Sequence, residues 1–200
     1  MMKNKLNLLG VMFIVIAFCG VVKADQLAFT TTLTGSQEVP PTGSPGIGSA
    51  SVTVDTIAKL MTVNVSFSGL VSPTIASHIH CCASPGVNAI VATTVPTFPG
   101  FPLGVTSGTY LQTFDLNLAA TYNPAFITAN GGTVAAAQAV FIAGLVNGQT
   151  YLNIHTSMFP AGEIRGQLHA VPEPATLLLL GTGLTTAVGV IRKRRRKSRP

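Results

Sequence analysis

A chain of 200 residues, 47% hydrophobic and only 9% charged, has room for one ordinary domain and some apolar targeting segments, not for several domains. Its formal charge of +6 resembles a nucleic-acid footprint, yet ten of the twelve Lys and Arg lie in the first 23 residues or beyond residue 191. Between Asp25 and Ala170 two cations, Lys59 and Arg165, face five acids, and this net charge of about −3 excludes a DNA- or RNA-binding surface.

Residues 1–24 open with Lys3 and Lys5, run uncharged from Leu6 to Val22, and close on Val22-Lys23-Ala24. That is the charged-apolar-small order of a secretory signal peptide, to be cut by signal peptidase after Ala24. Cys19 follows Phe18, where a lipid-attachment site needs a small residue, so lipidation is not the expectation.

From residue 27 onward the pattern is that of strands, with alternating or β-branched runs separated by Gly, Pro, Asn and Ser. Strands are predicted over 27–34, 49–55, 59–67, 75–80, 109–117, 150–155 and 164–169. In the third, Met61, Val63, Val65 and Phe67 share one face while Thr62, Asn64 and Ser66 take the other, as in a half-buried antiparallel strand. Residues 83–108, with four prolines and four glycines, read as an ordered surface loop rather than core. The alanine-rich stretch 134–145, after Gly131-Gly132-Thr133 and before Asn147-Gly148, is the one short helix. Seven short strands at this spacing predict an all-β fold over residues 25–170, an antiparallel Greek-key β-sandwich of immunoglobulin-like or superoxide-dismutase-like form.

Three of the four histidines fall in His78-Ile79-His80 and Asn153-Ile154-His155-Thr156. Strand parity sets His78 and His80 opposite Ile75 and Ile79, and His155 opposite Leu152 and Ile154, so the imidazoles leave the core side and converge if the two strands are neighbours. Such a set can hold copper or zinc, with His78, His80 and His155 as nitrogen ligands and Cys82, on the same face by parity, as a thiolate. The alternative is a polar network in which the imidazoles hydrogen-bond a loop and the strand of Glu163 and Arg165. Cys81 and Cys82 are the only cysteines left after export into an oxidising compartment. A vicinal disulfide stands first among their options, before metal ligation and pairing with another chain. Glu163 and Arg165, two apart, are expected to form a mutual or cross-strand ion pair. No Ser-His-Asp order, paired-carboxylate motif or phosphate-cradling glycine loop is present, which leans away from an enzyme.

At the far end, Val171-Pro172-Glu173-Pro174 precedes residues 175–191, seventeen positions without a charge, and then a run rich in Arg and Lys up to Arg199. Roughly 17 to 25 apolar residues span a bilayer, and a basic cluster directly behind them stays cytoplasmic, so 175–191 reads as a transmembrane helix. The motif, apolar segment and basic tail together resemble the PEP-CTERM sorting signal over residues 171–199. A plain single-pass anchor is the alternative. The resemblance implies processing by an exosortase during export, in a Gram-negative bacterium that makes extracellular polysaccharide, with passage through the inner membrane to the cell-envelope surface or extracellular matrix.

The domain between these signals resembles the CHRD family. The matching pieces are Phe29-x-x-x-Leu33-x-Gly35-x-Gln37-Glu38-Val39-Pro40-Pro41, Phe67-x-Gly69-Leu70, Ala76-Ser77-His78-Ile79-His80, Tyr151-Leu152-Asn153-Ile154-His155-Thr156 and the run Phe159 to Leu168. Many members have Gly-Pro after the His-x-His, where this chain has Cys81-Cys82. The resemblance implies a secreted module without an established activity. A His-x-His strand with a distant third His is also similar to copper-zinc superoxide dismutases, although His169 is the only further histidine here. The leading expectation is a non-enzymatic surface interaction module, with extracellular polysaccharide or surface proteins as partners. The second is a metal-binding, redox-active protein using the three histidines.

Overall fold

The computed structural model describes residues 26–172. The signal peptide 1–24, Glu173 and Pro174 of the sorting motif, the segment 175–191 and the basic tail lie outside the described residues. In chain order the elements are β1 (Gln26–Thr34), β2 (Ile47–Asp55), β3 (Leu60–Ser68), β4 (Thr74–Cys81), β5 (Gly108–Asp115), α1 (Pro124–Ala129), α2 (Val134–Val146), β6 (Thr150–Thr156), β7 (Ile164–Gln167) and β8 (His169–Ala170). Every predicted strand is present, the last one divided at Leu168 into β7 and β8.

The fold is all-β and antiparallel throughout, in one hydrogen-bonded path β4-β6-β7-β1-β2-β3-β5 with β8 added on β1. Where a sandwich divides its strands into two sheets, here one curled sheet joins them. Thr34 of β1 pairs with Arg165 of β7, and Gly166 lets these strands close up, because a side chain there would run into Thr31 Oγ1 and the Thr32 carbonyl. Curling brings the inner faces of both halves onto one core, so that Val52 and Val63 share a cluster with Ile79, Leu152 and Ile154. Each such side chain, fully buried, contributes roughly 1.5–3 kcal/mol. The period-2 pattern of β2 and β3 holds in three dimensions, and on the outer side Ser49 bonds Ser66 and Thr62 bonds Thr113 across the strands, at 2.9 Å each.

Three expectations are corrected by the structure. Residues 83–108 are not all surface: Ala92, Phe98 and Phe101 are buried, with Phe98 stacked on Tyr110 and Phe101 on Phe67. The prolines and glycines shape the path of the loop, while its apolar side chains still seek the sheet end. A second helix, α1, accompanies α2, because Asn123 caps Ala125 N and Pro124 supplies a preset φ at the first turn. Six residues are too few to show helical periodicity. Ile75 is 44% exposed, since a pairing irregularity between Thr74 and Ala76 takes it out of the strand's alternation.

Candidate metal centre

In the β4–β6 ladder His78 faces Asn153, His80 faces Tyr151 and Ala76 faces His155. Parity therefore sets the three histidines, Tyr151 and Asn153 on one face, with Ile79, Leu152 and Ile154 on the core side. That outer face is nonetheless dry. His78, His80 and His155 are only 6%, 8% and 8% exposed, beneath the loop after β4 and the turn between β6 and β7. One ring nitrogen from each lies within 4.8 Å of the other two.

Backbone carbonyls assign the hydrogens. His78 Nε2 lies 2.5 Å from the Pro96 carbonyl, His80 Nδ1 2.9 Å from that of Ala89, and His155 Nδ1 3.0 Å from that of Pro160. A carbonyl only accepts, so each of these nitrogens donates and the other nitrogen of each ring keeps a bare lone pair. With those tautomers, His78 Nδ1 and His155 Nε2 face each other at 3.3 Å as two acceptors, and His80 Nε2 is buried without a hydrogen-bond partner among the described residues. Burial pushes His80 and His155 down to about 4 and lowers His78 as well, so at neutral pH all three are uncharged bases. Three lone pairs thus converge in a water-poor space, with their rings held from behind by carbonyl partners, as ligating imidazoles are held.

Around them stands a second polar layer. Tyr151 stacks on His80 at 4.7 Å, and the Arg165 guanidinium lies over the Tyr151 ring, 3.9 Å from its centroid. Arg165 donates to Asn88 Oδ1 at 2.8 Å and to the Val87 carbonyl at 3.4 Å. Asn153 Nδ2 donates to Glu38 Oε2 at 3.5 Å, and burial, against the attraction of Arg165, raises the Glu38 carboxyl to about 7. Glu38 Oε1 and Asn153 Oδ1 are buried with no partner among the described residues.

Cys82 does not join the histidines. Strand parity fails there because β4 ends at Cys81; Cys82 is disulfide-bonded to Cys81, and its sulfur turns to the Val140 carbonyl of α2 at 3.8 Å. Both sulfurs press on Gly144, where a Cβ would come within 3 Å of each. The expected Glu163–Arg165 ion pair is also corrected. Glu163, fully buried, accepts from Ser44 Oγ, Val71 N and Thr156 Oγ1 at 2.6 Å each, while Arg165 points to Tyr151 and Asn88. Of the sorting motif, Val171 is tied to the Ala28 carbonyl at 2.8 Å beside β8. Tyr151 and Asn153 were legible by parity with His155, whereas Glu38 arrives from a distant turn and Asn88 from the loop, with no local sequence signal for either.

Burial of uncharged imidazoles makes the metal-free protein acid-labile. Unfolded histidine takes its proton near 6.5 but folded His80 and His155 only near 4, so their contribution is present above 6.5 and is lost as pH falls through that window. Glu38 acts oppositely, its contribution present below 4.5 and lost as pH rises through about 7. Two strongly shifted imidazoles, with His78 in the same direction, outweigh one carboxyl. The thermal midpoint of the metal-free protein is expected to fall by about 5 °C from pH 7 to pH 5, followed by circular dichroism; a midpoint that rises instead would mean the imidazoles are solvated.

Compared with known families, residues 29–168 match the model of the family described as CHRD domain, and residues 170–196 match that of the PEP-CTERM protein-sorting motif. No curated protein and no solved structure matches the chain.

Proposed function

The chain belongs to the CHRD domain family and carries the signal for exosortase-sorted export, and we propose that its β-domain is a metal-binding module of the cell surface or extracellular matrix, holding one transition-metal ion on His78 Nδ1, His80 Nε2 and His155 Nε2. The observation that carries this reading is one buried nitrogen without a partner among the described residues, His80 Nε2, beside His78 Nδ1 and His155 Nε2, which face only each other, while the second nitrogen of every ring is already bound to a carbonyl. A purely structural network would place a hydrogen between facing nitrogens, and here both faces are acceptors. Two nitrogens bound to one ion at 2.0–2.1 Å stand about 3.3–3.6 Å apart, in keeping with the 3.3 Å between His78 and His155. A bound cation would supply the missing electrophile and tie β4 to β6.

The second reading, non-enzymatic contact with extracellular polysaccharide or surface proteins, is favoured by a different stretch of the sheet. The outer faces of β1, β2, β3 and β5 present uncharged hydroxyls in register, among them Thr30, Thr32, Ser49, Ser66 and Thr109. Both readings can hold for one protein, because the hydroxyl face and the triad do not overlap.

Metal analysis of the purified full chain, with titration of Cu(I), Cu(II) and Zn(II), tests the first. One equivalent is expected to bind, to raise the thermal midpoint by about 8 °C at a ligand excess of 100 times Kd, and to bind at least about 100-fold more weakly in His78→Ala or His155→Ala. A folded native chain that binds none of the three ions would make the imidazoles a structural network and sink the proposal.

A further inference from the structure

We infer that the triad selects monovalent copper over zinc and other divalent ions, a deepening that rests on the three-histidine reading above. The first reason is the charge of the donors. All three ligands are neutral, and the groups behind them are the carbonyls of Pro96, Ala89 and Pro160, none of them a carboxylate. Sites for divalent zinc often add negative charge as a thiolate or carboxylate ligand or as a carboxylate behind the histidine, and among the described residues this one has neither. Among the described residues no Cys, Asp or Glu joins the group: Cys82 is bonded to Cys81, and both carboxylate oxygens of Glu163 are occupied by Ser44, Val71 and Thr156.

The second reason is what surrounds the donors. The full positive charge of Arg165 lies one aromatic ring away from His80, over Tyr151. The acid on this face is Glu38, separated from His78 by Asn153, and burial holds its carboxyl up to about 7. An ion entering the site therefore finds a resident cation and no settled counter-charge. The cost of burying a charge rises with its square, so a dication is penalised about fourfold more than a monocation.

The third reason is coordination number. Structural zinc is almost always four-coordinate and catalytic zinc keeps a water as its fourth ligand, whereas Cu(I), equally d10 but with half the charge, is satisfied by three. The histidines are 92% or more buried, so the water that zinc would keep has to be drawn into a site closed off from solvent.

The test is competition on the full chain under anaerobic conditions, with a chromophoric Cu(I) chelator and with Zn(II) as rival. One equivalent of Cu(I) is expected to bind about 1,000-fold more tightly than Zn(II), and Zn(II) in 100-fold excess should not displace it. Glu38→Gln removes the one acid able to ionise beside a dication; it should weaken Zn(II) about tenfold further and leave Cu(I) within about threefold. Zn(II) binding as tightly as Cu(I), or equal effects of Glu38→Gln on both ions in a folded variant, would overturn the selectivity and leave the metal centre standing. Failure of the folded native chain to bind either ion would overturn both.

Discussion

Glu163→Ala is expected to cost about 4 kcal/mol and to lower the thermal midpoint by about 12 °C, whereas Glu163→Gln should cost about 1 kcal/mol. The carboxylate is fully buried and collects three donors from three segments, Ser44 Oγ, Val71 N and Thr156 Oγ1. Its own backbone carbonyl also accepts from Thr42 Oγ1 at 2.8 Å. Alanine would leave the fully buried Thr156 hydroxyl, the Val71 N–H and the half-buried Ser44 hydroxyl without their acceptor, at roughly 1–3 kcal/mol each before relaxation and least at Ser44. Glutamine keeps an oxygen at Oε1 for Ser44 and Val71, and its Nε2 can donate to Thr156, whose hydroxyl is able to accept. Thermal melts of the two variants separate hydrogen bonding from charge. Equal damage from Gln and Ala would mean that the negative charge itself is required, which the absence of a pairing with Arg165 argues against.

Arg165→Met should cost about 3 kcal/mol and release the loop that covers the histidines. The guanidinium, 2% exposed, spans Asn88 Oδ1 and the Val87 carbonyl while lying on Tyr151, and Tyr151 in turn accepts from Ala89 N at 3.0 Å. Ala89 is the residue whose carbonyl holds His80. Methionine preserves the bulk over the ring but loses both hydrogen bonds and the cation–π contact, worth up to about 2 kcal/mol when desolvated. Arg165→Lys should recover little, because an ammonium is a point charge and cannot reproduce the planar fork. Hydrogen exchange provides the local readout: the amides of Ala89, Ala92 and Thr93, bonded to Tyr151 and Ile79, should lose protection in Arg165→Met more than the β2–β3 ladder does. Uniform loss across the sheet would assign Arg165 to global stability alone.

Much of the fold was legible because strands have a period of two and this chain keeps it. Met61, Val63, Val65 and Phe67 announce a strand and its buried face before any coordinates, and the same alternation placed His78, His80 and His155 on a shared face. Turn residues did less well, since Pro and Gly report how the backbone bends and not where Phe98 and Phe101 go. Adjacency misled twice. Cys82 extended a parity that ends at Cys81, and Glu163 precedes the strand that begins at Ile164, so its side chain follows the turn and not the alternation that carries Arg165.

By itself the sequence determined the C-terminal sorting signal, the all-β class, the approximate places of the strands and the shared face of three imidazoles, because each of these depends on local composition or on a period within one segment. The tertiary structure decided that β4 lies beside β6, that the sheet closes through Gly166, and that Pro96, Ala89 and Pro160 take the outer hydrogens of the histidines. It also decided that Arg165 comes close enough to Glu38 to act on its charge, across 127 positions of chain. Those facts depend on which distant backbone groups arrive at one place, and long-range pairing is a balance of packing and hydrogen bonding over the whole sheet, invisible to any window of sequence.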